Sequence, residues 1–140
     1  MRNNRFIHLI EWTQRVDQFE QRLKGNADLR WGGHDGGQHL RQALGSYKLA
    51  CFAERLRGET PSTWDQPRNE DTLRLFLINK HHWTLEQARQ VVGEEDFLYL
   101  LRDEVMSMKL TEKEAGPVKD SVFFRDGFQD FAQHYAEPEK

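Results

Sequence analysis

The chain has 140 residues, a formal net charge of −3, and 31% charged against 37% hydrophobic residues, with nine Phe, four Trp and three Tyr. That supply of large apolar side chains is enough for a folded core and excludes a disordered chain. The single cysteine, Cys51, excludes an internal disulfide and a cysteine-based zinc site, and it points to a reducing compartment. Charged residues interrupt every apolar stretch well before the roughly 18 residues that a membrane-spanning helix needs. The first residues carry charge but no apolar run of the signal-peptide kind, so a cytoplasmic protein is expected.

Apolar spacing is helical throughout, with no sustained period-2 alternation. Leu9, Trp12, Val16, Phe19 and Leu23 recur at intervals of three and four, predicting a first helix that Asn3 or Asn4 caps and Gly25-Asn26 ends. A glycine loop follows, Trp31-Gly-Gly-His-Asp-Gly-Gly37. Beyond it Leu40, Ala43, Leu44, Tyr47, Ala50 and Cys51 mark a second helix, apolar on every side over 49–53 and therefore central, with Gly58 as its stop. Residues 58–69 contain two prolines and are expected to be a loop. Asn69 is the expected cap of a third helix carrying Leu73, Phe76 and Leu77, and Thr84 with Gln87 forms a capping box for a short fourth one. The acidic run Glu94-Glu95-Asp96 suits the start of a longer fifth helix carrying Phe97, Leu101, Val105 and Met108. Thr111 with Glu114 can open one more turn, which Gly116-Pro117 should break. Phe124, Phe128, Phe131 and Tyr135 predict a last helix ending before Pro138. The expected architecture is all-α: a single compact, bundle-like domain of five or six helices over 1–140.

The charge balance is uneven, +3 over residues 1–69 and −6 over 70–140. No basic stripe of the kind that tracks a phosphate backbone is present. Residues 84–106 have the outline of a helix-turn-helix, but the would-be recognition helix opens on Glu94, Glu95 and Asp96, the wrong sign for DNA. No nucleic-acid partner is therefore expected, and no membrane contact. Cys51 lies in the most apolar part of the central helix, where a thiol stays protonated and unreactive. None of the serines sits in a nucleophile-elbow context.

Two functional readings follow. The leading one is a protein-binding accessory without catalysis, such as an adaptor, inhibitor or regulator, and with no cofactor. Its contact residues are Trp31, Gly36, Gly37, Arg41 and Trp64, because tryptophan on a connection is a common interface anchor and glycines at a helix start let a partner approach. The regular seams of the first and last helices also suit pairing with a second copy, giving a homodimer. The alternative is a metal-dependent enzyme or small-ligand-binding protein built on the glycine loop. His34, Asp35 and His39 would then hold a divalent metal, with His81 or His82 completing the set, since a catalytic Zn²⁺ needs three nitrogen or oxygen ligands and an open position.

Overall fold

The computed structural model describes residues 6–24, 37–59, 61–65 and 67–136, although the side chains of Leu23 and Lys24 fall outside the description. The fold is all-α. The elements in chain order are α1 (His8–Lys24), α2 (Gln38–Glu59), α3 (Asn69–His81), α4 (Leu85–Arg89), α5 (Glu94–Leu100), α6 (Arg102–Ser107), α7 (Glu112–Val122) and a 3-10 helix (Gln129–His134). The chain packs as two units. One comprises residues up to Lys48 together with those from Met108 onward, and the other is Leu49–Ser107. Helix α2 gives its first half to one and its second half to the other.

In the discontinuous unit, α1 packs along α7. Trp12 is buried on α1, stands edge-on to the Tyr47 ring of α2 at 5.5 Å, and donates its indole N–H to Ser121 Oγ on α7 at 2.6 Å. Tyr47 in turn donates its hydroxyl to the Glu114 carbonyl at 2.7 Å. Arg15 of α1 donates from Nε to Ser46 Oγ at 3.0 Å. Three helices are thus tied by side chains whose polar ends are satisfied while their rings fill the core, the condition under which buried Trp and Tyr stabilise. The seam expected along α1 holds at Trp12 and Phe19, but Leu9 lies exposed at its start.

Helix α7 overturns the expectation of a break at Gly116-Pro117: it runs through both residues to Val122. The Thr111–Glu114 capping box starts it, as the sequence indicates. Ala115 and Val118 bury its inner face, and Ser121 Oγ donates to the Pro117 carbonyl at 3.1 Å. The residue before a proline is disfavoured in helix mainly through its own Cβ, and Gly116 has none. The cost reduces to one lost backbone hydrogen bond and local crowding, which the buried face outweighs. The expected last α-helix is also replaced. After α7 the chain turns through Gly127 (φ 89°) into the 3-10 helix, in which Phe131 N–H bonds to Phe128 O at 3.0 Å. Only Phe131 of the anticipated stripe is buried, and Phe124 stands in solvent.

The continuous unit, Leu49–Ser107, is organised around Leu49, Ala53, Leu73, Leu77, Val91, Phe97, Leu101 and Val105, all buried, with Phe52, Phe76 and Trp83 against them. Helix α3 packs on α4 and α5 on α6. The Thr84–Gln87 capping box is present on α4. Asn69 is not the cap of α3; Arg68 stands there without a side-chain bond, and the Asn69 carboxamide oxygen instead accepts from Arg57 of α2. The expected long fifth helix is two, divided at Leu101 (φ −108°, ψ 21°). Positions i, i+4 and i+8 drift by about 40° per step around a straight helix. The bend at Leu101 keeps Phe97, Leu101 and Val105 all in the core. Gly58 does not stop α2, which continues to Glu59. Cys51 is buried, in agreement with its expected role as a small core residue.

Leu77 is fully buried at the centre of this core. Leu77→Ala is expected to lower unfolding stability by about 2–5 kcal/mol, measured by urea denaturation.

Candidate functional site

The glycine loop was the sequence's principal candidate. Trp31, His34, Asp35 and Gly36 lie outside the described residues, so the structure speaks to the site through Gly37, His39, Arg41, Trp64, His81 and His82. Gly37 opens α2 in the left-handed region (φ 83°), and a Cβ placed there would run into the tip of the Phe128 ring. Glycine is required on both counts, for the turn and for the close approach. His39 is buried at 5% exposure on the first turn of α2. His81 and His82 are exposed at the end of α3. His82 adopts the left-handed conformation (φ 58°) and donates its backbone N–H to Ile78 O, while the His81 ring stacks on Trp83 at 5.0 Å. Among the described residues, no three His, Cys, Asp or Glu side chains are grouped to hold a metal ion. Two members of the proposed set, His34 and its one carboxylate Asp35, lie outside the described residues.

Arg41 makes contacts within the chain. Its guanidinium donates to both oxygens of Asp130, at 2.8 and 3.1 Å, and to the Gly127 carbonyl at 2.7 Å. It lies over the Phe128 ring at 4.7 Å and near that of Phe131 at 5.5 Å. A guanidinium suits this position because its planar fork meets a carboxylate while its face stacks on an aromatic ring. Lys48, two turns further along α2, is only 2% exposed and brings Nζ to 2.9 Å from His134 Nδ1. Gly37, Arg41 and Lys48, spaced by four and seven, lie on one side of α2 and grip residues 127–136, which we term the strap. The far side of the strap is held by a parallel bridge between Leu110 and Tyr135: Leu110 N–H donates to His134 O, and Ala136 N–H to Leu110 O, both at 2.8 Å. Lys109 Nζ donates to the Gln133 carbonyl.

The electrostatics of this cluster are distinctive. Burial, then the positive charges of Lys48 and Lys109, hold His134 below the ordinary imidazole value, with Asp130 acting weakly the other way. Burial, followed by Asp130, pushes the Tyr135 phenol up to about 12, and its hydroxyl is buried with no hydrogen-bond partner among the described residues. Lys119 of α7 lies over the Tyr135 ring at 5.1 Å. Sequence reasoning missed Lys48 and His134. The available signal was the place of Lys48 four residues after Leu44 and three before Cys51, both core positions on α2.

Trp64 stands apart from these clamped residues. It is 85% exposed on the connection between α2 and α3. The turn beneath it is ordered by Ser62, whose hydroxyl bonds to the Asp65 carboxylate and accepts the Asp65 backbone N–H at 3.2 Å. In the other unit, Phe123 and Phe124 at the end of α7 are 74% and 93% exposed and stand edge-to-face at 4.7 Å. Compared with protein-family models, curated proteins and solved structures, the chain matches none of them.

Two substitutions probe this account of the strap. Gly37→Ala should lower stability by about 1–2 kcal/mol from the backbone conformation alone, with a further loss as Phe128 is displaced, seen as a fall in the urea midpoint. Tyr135→Phe should leave stability unchanged or raise it by up to about 1 kcal/mol near pH 7, because it removes a buried oxygen that has no partner. The wild-type phenol titrates above its unfolded value of 10.0, so wild-type stability should fall as pH rises from about 10 to about 12. Thermal melts of Tyr135→Phe should lack that alkaline loss.

Proposed function

We propose that this chain is a protein-binding accessory of the cytoplasm that works by docking another polypeptide and carries out no catalysis. The observation that supports this reading best is Trp64: a large apolar ring held out in solvent on a side-chain-ordered turn, where it contributes nothing to its own core. Exposed tryptophan is costly to keep and is the residue type most often found at the energetic centre of an interface. The Phe123–Phe124 pair offers a second anchor of the same chemistry. The buried state of Cys51 accords with a reducing compartment. No described helix is long and apolar enough to cross a membrane. A homodimer is part of the same proposal, with the exposed apolar residues of α1, Leu9 and Ile10, as the surface available to a second copy.

The test is a native mass spectrum of the protein purified gently from its own host, without chelator, in wild-type and Trp64→Ala forms. A stoichiometric second polypeptide on the wild type is expected, with affinity reduced by about 2 kcal/mol or more in Trp64→Ala while the melting temperature stays unchanged. A bound metal ion lost in His34→Ala, with no second polypeptide, would overturn the proposal in favour of the metal-dependent reading.

A further inference from the structure

Helix α5 buries one side and turns the other outward. Phe97 and Leu101, four residues apart, are buried in the core of the continuous unit. Tyr99 stands two residues from each, roughly half a turn around the helix from both, and is 81% exposed. Glu95 lies four residues before Tyr99 and Asp96 three, so both share its side of α5, and both are exposed. Val92, just ahead of the cap Gly93, and Asp103, beyond the bend at Leu101, are exposed as well. A single aromatic ring in solvent is ordinary. A ring set at the position farthest from the core, among carboxylates, is a surface with a definite chemistry.

The charge on this side is mostly of one sign. Between residues 95 and 103 three carboxylates stand against a single cation, Arg102. Among the described residues no cation pairs with Glu95, Asp96 or Asp103: in this unit Arg57 is bound to Glu54, Arg68 and Arg74 to Asp71, and Lys80 to Glu104. The helix dipoles account for acidic residues in the first turns of α5 and α6, but they give no reason for an aromatic ring between them. The sign excludes several occupants. A phosphate backbone or an anionic lipid surface is repelled. A second copy docked through the same side sets carboxylates against carboxylates. A divalent cation needs several oxygens converging on one point, and no three such side chains are grouped among the described residues. What remains is a cationic partner with an apolar contact to offer the ring.

We propose that the outer side of α5, Tyr99 with Glu95, Asp96 and Asp103, is a docking surface for a basic polypeptide segment. That segment places an apolar side chain on the tyrosine ring and lysine or arginine on the flanking carboxylates. The inference rests on the reading of the chain as a protein-binding accessory, and it names the charge of what is bound at a second surface of the unit that carries Trp64. A tyrosine presents a large apolar face with a polar tip, which suits a contact at the edge of water. An arginine of the partner can also stack on that face. Exposed ion pairs are each worth little, so the carboxylates set the partner's sign and speed its arrival more than they hold it. Salt therefore slows encounter, while the ring governs residence.

The experiment is an NMR titration of the full, isotope-labelled chain with a short end-blocked peptide of lysine and leucine at amphipathic helical spacing, and with its glutamate–leucine counterpart. The lysine peptide is expected to shift the amides of Glu95, Asp96, Tyr99 and Asp103 while those of Ala53 and Leu77 in the core stay in place. Its affinity should fall about tenfold or more from low to physiological salt. Tyr99→Ala should weaken binding about tenfold at an unchanged melting temperature. Glu95→Gln combined with Asp103→Asn should remove most of the salt dependence. Absence of binding, shifts spread over the whole surface, equal shifts from the glutamate peptide, or binding that Tyr99→Ala leaves intact would each overturn the proposal. Failure of the lysine peptide while a host polypeptide is still held through Trp64 would strike this inference alone. A localised peptide response with no host polypeptide held would uphold the surface and strike the reading built on Trp64.

Discussion

The discontinuous unit depends on what one side of α2 can hold. Gly37, Arg41 and Lys48 follow helical spacing, and each meets the strap by a different physical means. Gly37 contributes the absence of a side chain, so that the Phe128 ring can lie against bare backbone. Arg41 contributes a fork and a flat face, used on Asp130, Gly127 and two phenyl rings. Lys48 contributes a buried ammonium whose Nζ lies 2.9 Å from His134 Nδ1. The adjacent residues Ser46 and Tyr47 fix α1 and α7. The first three turns of α2 are consequently the element that α1, α7 and the strap all meet, and the exposed pair Arg41–Asp130 adds little by charge alone. Its worth lies in positioning the aromatic rings.

This arrangement separates residues used for holding from residues left for contact. Arg41, Phe128 and Phe131 are committed to one another and to Asp130 and Gly127. The apolar residues that face solvent, Trp64, Phe123 and Phe124, instead sit on or next to turns. Two of the residues singled out in the sequence, Gly37 and Arg41, turn out to hold the strap, and a third, Trp64, has the exposure an interface anchor requires. The histidines at the end of α3 are likewise engaged locally: His82 closes the helix by its left-handed backbone, and His81 stacks on Trp83.

What could be read from the sequence was what local chemistry determines. The helical class, the Thr84–Gln87 and Thr111–Glu114 capping boxes and the burial of Cys51 all follow from residues within a turn or two of one another. The misreadings share a different cause. Pro117 stays in helix because Gly116 and a buried face compensate for it, and the stripe Phe124–Phe128–Phe131–Tyr135 mimics a helical seam although one member alone is buried. The hydrogen-bonding partners described for Arg41 and Lys48 lie 86 to 89 residues away, a distance at which periodicity carries no information. A buried lysine is legible only as a charge among core positions, and its acceptor cannot be named until the chain has folded back. Trp64 was legible as a tryptophan on a connection, whereas its exposure is a property of the folded turn.

The interruption of one unit's sequence by the other bears on how the chain comes to be folded as it is made. Residues 49–107 form an uninterrupted stretch and hold all of their own core, so they can fold as soon as they leave the ribosome. The first half of α2 has no such option. Its partners on α7 and the strap are synthesised only after the whole of the intervening unit, and loop closure across that interval must await them. Until then Ser121, the Glu114 carbonyl and His134, which meet Trp12, Tyr47 and Lys48 in the folded chain, have not been made. The nascent chain thus carries a finished continuous unit while the apolar surface of the other is still open, a state in which a chaperone or an early-bound partner finds its longest opportunity.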